Sequence, residues 1–301
     1  MKKIKRQVTI LIPAYNEEFN IKNIVTDILS QKGKNFVLKK LCVVSDCSSD
    51  QTVNILKRIK NKKLSIIENK KRVGKIGILN SFFSKFRGDV LIQLDADIRL
   101  EGEKVIESLV NYINKKAGLV CGIINPSRPK TFVESLAFFG IKVWKRAKKS
   151  AKGNTDLYEC SGNMRAFSKE FIKKFRLPTS GHISEDAYSF YFAKKNKFKV
   201  LVCKNAHSSY RLPATYKDYV IQMRRFLQSN NEMRKTFGVK LVNKYETITT
   251  SIKIKALIIE GLKSPIKAFC YVALQIIPKV QAINYKQPRI WETSKSSKIL
   301  K

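Results

Sequence analysis

Apolar positions in the first 125 residues follow two alternating periods. Residues 8–12, 41–45, 64–67, 90–94 and 119–124 are short, nearly continuous apolar runs of the kind that buried strands make. Between them the spacing changes to that of a helix. In 17–30, Ile21, Ile24, Val25, Ile28 and Leu29 share one face, and helices are also predicted over 51–59, 75–86 and 103–114. Strand and helix in alternation predict an α/β fold with a Rossmann-like, mostly parallel sheet and helices on both faces. In such sheets ligands bind at the carboxyl ends of the strands.

Beyond residue 125 the rhythm breaks. Residues 131–149 form an amphipathic helix carrying Val133, Leu136, Phe139, Ile141, Val143 and Trp144, with a Lys/Arg-rich end. Cys160 to Arg165 reads as a turn entering a short strand. Ser184 is placed to cap a helix that opens with Glu185-Asp186 and runs to about residue 195. A longer basic helix follows Pro213-Ala214-Thr215, where Thr215 and Asp218 have capping-box spacing. Residues 268–277 are nearly all apolar between Lys267 and Lys279, a length for an interfacial or core helix and too short for a span. Trp291 and the Lys/Ser-rich end beyond it read as a frayed tail. These shifts divide the chain into 1–125, 126–240 and a helical extension over 241–301.

The strand ends collect the polar chemistry. The run at 90–94 stops at Asp95-Ala96-Asp97, whose carboxylates at i and i+2 point the same way in extended chain. Two convergent oxygens suit a hard divalent cation that keeps room for substrate phosphates. The plainer reading is a polar strand exit with a helix-capping Asp. Pro13 to Glu18, Asp46 to Asp50, and Asn69 to Lys75 gather on the same edge. Neither G-x-G-x-x-G after the first strand nor a P-loop occurs, so neither a dinucleotide fold nor a P-loop enzyme is supported.

Composition adds one strong bias. Sixty Lys and Arg oppose 23 Asp and Glu, for a formal net charge of +37, which points to an anionic partner: nucleic acid, an acidic membrane surface or phosphorylated substrates. Cys42, Cys47, Cys121, Cys160, Cys203 and Cys270 form no C-x-x-C pair and read as free thiols. With His182 and His207 the only histidines, a zinc site is not expected. The basic start is followed by an apolar stretch too short for a signal peptide, so a reduced, cytoplasmic chain is expected.

Taken in order, Ile12-Pro13-Ala14-Tyr15-Asn16-Glu17, Val44 to Asp50, Gly74-Lys75 with Leu79-Asn80, Asp95-Ala96-Asp97, Gly162-Asn163, Glu185-Asp186 and Gln222-Met223-Arg224-Arg225-Phe226 resemble the family 2 glycosyltransferases, an inverting group with a GT-A fold. The resemblance spans residues 7 to 230. It implies transfer of a sugar from a nucleotide-sugar, UDP- before GDP-, to a glycan or lipid-linked acceptor, with Mg2+ or Mn2+. It places Pro13, Ala14, Tyr15, Glu17 and Asp46 around the nucleoside. Lys75, Gln222 and Arg225 fall at the nucleotide's phosphates, Asp95 and Ala96 at the ribose or the cation's water shell, and Asp97 on the cation. Asp186, beside Glu185, is the implied general base, with Gly162 and Phe226 toward the acceptor. A helix start favours negative charge there, although acidic pairs are common at helix starts anyway. His207 reads as a late metal ligand or, better, a structural histidine.

Two departures from the family's processive members stand out. Phe226 replaces the Trp of Q-x-x-R-W, and no transmembrane helices follow. Both weigh against processive synthesis of a polymer. The implied place is peripheral, on the inner face of the cytoplasmic membrane, in cell-envelope polysaccharide synthesis. Two other classes stay open: a basic protein binding nucleic acid without sequence specificity, which would carry no recognition motif, and a sugar-phosphate nucleotidyltransferase on a similar sheet.

Overall fold

The computed structural model describes residues 5–114, 116–151, 160–179, 183–246, 248–284 and 296–298. His182, Trp291 and most of the tail lie outside the described residues. The chain runs β1 (Arg6–Ala14), α1 (Ile21–Leu29), β2 (Phe36–Ser45), α2 (Thr52–Lys57), β3 (Leu64–Glu68), α3 (Gly74–Lys85) and β4 (Val90–Leu94). It continues through β5 (Ile98–Leu100), α4 (Val105–Tyr112), β6 (Ala117–Pro126), α5 (Phe132–Ala151), β7 (Met164–Ser168), α6 (Lys169–Lys174) and α7 (Glu185–Lys195). The last described elements are β8 (Lys199–Tyr210), α8 (Tyr216–Phe237), α9 (Val239–Glu246), α10 (Thr250–Lys263), α11 (Pro265–Asn284) and a 3-10 turn at Ser296–Lys298.

One eight-stranded sheet carries the site, in the order β3-β2-β1-β4-β7-β6-β8-β5. Pairs β1/β2, β1/β4, β2/β3 and β6/β8 are parallel, whereas β4/β7, β6/β7 and β5/β8 are antiparallel. Strand alternation sends neighbouring side chains to opposite layers. Ile10, Ile12, Leu41 and Ile92 pack with α1 and α4, while Leu11, Cys42, Val44 and Leu91 pack with α3, α6 and α7. Both layers are closed, so the strands read as continuous apolar runs, as parallel strands do.

Two strands differ from the sequence reading. Residues 199–210 carried no predicted element, yet they form β8 beside β6. Its sequence, KVLVCKNAHSSY, turns polar halfway although Ala206 and Ser208 there are fully buried, and this second half bends through a register shift to reach β5. The three residues of β5 follow Asp97 directly and are too short to show a period.

The chain ends in a second helical layer. α10 and α11 form a hairpin on α5, tied by the Arg146–Glu260 ion pair and by an edge-on contact of Phe139 with Tyr271 at 5.6 Å. No described helix is long and apolar enough to cross a membrane.

Candidate active site

The carboxyl ends of β1, β2 and β4 open into a cleft of about 1650 Å³, closed on its far side by α5, α7 and α8. All fifteen site residues singled out in the sequence line it: Pro13, Ala14, Tyr15, Glu17, Asp46, Lys75, Asp95, Ala96, Asp97, Gly162, Glu185, Asp186, Gln222, Arg225 and Phe226.

The donor-side wall is built from two stitched loops. Asn16, at a φ of 53°, accepts from the backbone N–H of Ser49 and donates its own N–H to the Ser48 hydroxyl. Cys47, at a φ of 62°, shares this left-handed geometry, a strain that the stitching sustains. Asp46, buried at the tip of β2, accepts from the N–H groups of Val73 and Gly74 and from the Asn69 amide at 2.9–3.1 Å. Its carboxylate therefore fixes the start of α3 as well as lining the cleft. Asp50 turns inward to accept from the N–H groups of Glu18 and Thr52.

Opposite this wall five side chains close a ring. Lys75 Nζ lies 2.6 Å from Asp95 Oδ1 and 2.6 Å from Glu185 Oε1, and donates to the Gly162 carbonyl at 3.2 Å. Gln93 Nε2 donates to Asp95 Oδ1, and Gln93 Oε1 accepts from Arg165 Nε, both at 2.8 Å. Arg165, fully buried, then reaches Glu185 Oε1 at 3.5 Å and donates to the Glu185 carbonyl and the Ser189 hydroxyl. Gln93 and Arg165 are direct partners across the β4/β7 ladder, so sheet register itself sets the ring. Lys75, expected at the phosphates, is thus held between the carboxylates of the two cleft walls.

Charge follows from this packing. Burial alone would push Glu185 up, but Lys75 and Arg165 outweigh it and hold its carboxyl at about 2. Burial pulls the Lys75 ammonium down, and Asp95 with Glu185 reverses that, leaving it above its ordinary value. Asp95 goes the other way: burial, with Asp97 and Glu185 adding to it against Lys75, pushes it up to about 6. Burial lowers the Arg225 guanidinium against the pull of Glu185, Asp186, Asp95 and Asp97.

Asp186 sits beside this ring. Its Oδ1 accepts from the Ser184 hydroxyl and from the Ala187 N–H at 2.8 Å, so Ser184 stands at the cap position of α7 but spends its side chain on Asp186. Gly162 explains itself here. A Cβ at that position would stand 3.3 Å from Glu185 Oε1 and 3.4 Å from Asp186 Oδ2, crowding both carboxylates.

Asp97 differs from its neighbours. Among the described residues its carboxylate makes no hydrogen bond and no ion pair, although its charge is felt at Glu17, Asp95 and Arg225. No group of three or more His, Cys, Asp or Glu side chains among the described residues could hold a metal ion. An oxygen-only pair with one open carboxylate fits Mg2+ or Mn2+ held partly by substrate phosphates and water. His207 stands on β8 with Nδ1 3.4 Å from the Asn125 amide, outside the cleft lining.

Gln93 of the ring and three further participants were not singled out in the sequence. Arg72 lies 3.6 Å above the Tyr15 ring and 3.9 Å from Asp46. Arg165 is one basic residue among sixty, and nothing in its neighbours announces a buried guanidinium. Lys298 belongs to the stretch read as frayed, yet its ammonium meets Glu17 Oε1 at 2.7 Å and the carbonyls of Tyr15 and Asn16. The Ser296 hydroxyl accepts from Ala214 N–H, and Ser296 N–H donates to Asp218, anchoring the turn across the cleft. Burial, then the Asp97 charge, pushes Glu17 up to about 7 against the pull of Lys298.

The comparisons with known proteins agree with this geometry. A model of the family described as "Glycosyl transferase family 2" matches residues 9–176. An uncharacterized glycosyltransferase of Haemophilus influenzae is 32% identical over 36% of this chain and 33% of its own length. The Escherichia coli UDP-Glc:alpha-D-GlcNAc-diphosphoundecaprenol beta-1,3-glucosyltransferase WfaP is 29% identical over 39% of this chain and 51% of its own length. The chain thus spans about half, or less, of the length of these curated relatives. Among solved structures, the Pyrobaculum calidifontis mannosyltransferase PcManGT, with GDP-Man and Mn2+, superposes with a TM-score of 0.61 at 18% identity, covering 95% of this chain and 78% of that one. S. aureus TarS 1-349 with UDP gives 0.53 at 16% identity over 79% and 71%. The sheet and its flanking helices are those of the GT-A fold, and the chain belongs to glycosyl transferase family 2.

Proposed function

We propose that this protein is a metal-dependent inverting glycosyltransferase that moves a sugar from a nucleotide-sugar, UDP- before GDP-, to a glycan or lipid-linked acceptor. The observation that carries the reading is one cleft with two carboxylate pairs, Asp95/Asp97 just past the end of β4 and Glu185/Asp186 opening α7, with Lys75 bridging Asp95 and Glu185. In this reading residues 1–125 hold the donor, 126–240 hold the acceptor and the base, and 241–301 face a membrane surface. The relative WfaP is named for pairing UDP-Glc with a diphosphoundecaprenol-linked sugar, the class of donor and acceptor proposed here.

Tyr15, Pro13, Ala14, Glu17 and Asp46 line the nucleoside end, with Arg72 stacked on the Tyr15 ring. Asp97, with Asp95 behind it, would hold the cation, which when bound neutralises charge growing on the departing diphosphate. Arg225 and Lys75 add fixed positive charge at the same end, and Gln222 lies one turn from Arg225 on α8. Phe226, exposed at the rim, offers a ring face for a sugar. Ser184 and the Ala187 N–H hold Asp186 Oδ1 in place, which leaves Oδ2 on the Gly162 side.

Asp186 Oδ2 takes the acceptor hydroxyl proton as that oxygen bonds the anomeric carbon. The bond from that carbon to the diphosphate oxygen breaks, its electron pair leaves with the nucleoside diphosphate, and the configuration inverts. Glu185, held ionised by Lys75 and Arg165, shares the Lys75 ammonium with Asp95.

The test is nucleoside diphosphate release from a panel of UDP- and GDP-sugars, with Mn2+ or Mg2+ and a membrane lipid extract as acceptor source. Release should fall at least about a hundredfold in Asp186→Asn, the size of a lost general base. Asp97→Asn should abolish it, as chelator should. Turnover that survives both substitutions and chelation would sink the reading, as would pyrophosphate release from NTP and a sugar phosphate.

A further inference from the structure

Helices α10 and α11 turn back on each other at Ser264, close enough that a Cβ on Gly261 would stand 3.2 Å from that of Ala268. Their inner sides are filled by α5: Gly140 leaves room for the Tyr271 ring, where a Cβ would come within 2.5 Å. The outer side has no protein partner among the described residues, yet it is not polar. Ile254, Ile258 and Leu262 recur every fourth residue along α10, and Ile266 and Phe269 continue the strip on α11. At the hairpin tip Leu262, Ile266 and Phe269 are 75–81% exposed. Contiguous exposed apolar side chains of this size mark a surface that another phase or partner covers.

We propose that this strip docks the enzyme on an anionic lipid bilayer. Lys255 is exposed beside the strip on α10, and Lys263, loosely paired with Glu260 at 3.6 Å, and Lys267 are exposed at the tip, the pairing of apolar insertion with basic flanks that binds acidic headgroups. A second copy of this chain fits the face poorly, because two molecules of net charge +37 would meet through their lysines. The hairpin also belongs to the cleft: Lys253, Tyr271 and Gln275 line it together with the half-exposed Trp144. Docking through the tip therefore sets the cleft mouth beside the headgroups, where a lipid-linked acceptor carries its phosphates. The inference extends the reading of a lipid-linked acceptor, but its test does not use turnover.

The full chain is sedimented with vesicles of phosphatidylcholine plus phosphatidylglycerol, and with phosphatidylcholine alone, beside a Leu262→Ser/Ile266→Ser/Phe269→Ser variant. Wild type should bind the anionic vesicles preferentially, and the variant at least about tenfold more weakly, since each buried CH2 adds to the partition. These three side chains do not line the cleft, so titration with UDP or GDP should give the same affinity in variant and wild type. Equal partition of the two proteins, or equal binding to neutral and anionic vesicles, overturns the proposal. So does a wild-type dimer that the variant converts to a monomer in light scattering. Loss of vesicle binding with intact nucleotide affinity supports docking, whereas absent nucleotide affinity in both proteins counts against the catalytic reading alone.

Discussion

Glu17 shows how one side chain can couple site and stability. It is 6% exposed, lies within the field of Asp97, and among the described residues has only Lys298 and Asn20 to support its charge. Its folded pKa of about 7 exceeds its ordinary 4.5, so the folded state binds the proton more tightly than the unfolded chain. The contribution of Glu17 to stability is then fully present below pH 4.5 and is lost as pH rises through about 7. A shift of that size corresponds to an effect on the order of 3 kcal/mol. Glu17→Gln should therefore flatten the fall of Tm between pH 5 and 8 and raise Tm at the upper end. Parallel curves for variant and wild type would show that Lys298 fully balances the carboxylate.

At the scale of elements, Asp46 links β2 to α3 through two backbone N–H groups that no helical bond can satisfy. Asp46→Ala would remove the acceptor from both donors, which sit on the half-exposed turn at Val73 and Gly74 where water can partly replace it, at roughly 1–3 kcal/mol, a loss that urea unfolding would detect. Asp46→Asn keeps an acceptor oxygen and should recover part of it; if both variants unfold like wild type, the carboxylate serves the ligand alone. The order of strands and helices through β4 could be read from the sequence, because buried parallel strands print as apolar runs and α1 shows its face openly. β8 could not, since half of its length is polar and its partners are β6 and β5, distant in sequence. The same limit hid the ring. Asp95, Lys75 and Glu185 were each legible by motif, but Gln93 and Arg165 acquire meaning only when β4 and β7 pair antiparallel. Lys298 lay in a stretch whose composition carries no period at all.

The whole molecule is dominated by like charge. With 60 basic and 23 acidic residues, most basic side chains can have no acidic partner, and the exposed ion pairs, such as Lys32–Glu103 and Lys57–Glu68, offset little of this excess. Self-repulsion at this net charge opposes the compact state. Salt screens the repulsion over about 10 Å at 0.1 M, and it also weakens those surface pairs. The two effects have opposite signs, and the excess of 37 positive charges decides between them. The ring around Lys75 is half-buried and so screened less than the surface pairs. Raising NaCl from low to near-physiological concentration should therefore raise Tm, by about 2–4 °C for each kcal/mol of repulsion removed. Thermal unfolding across a salt series measures it directly. A Tm that falls with salt would mean that the ion pairs, not the excess charge, govern stability.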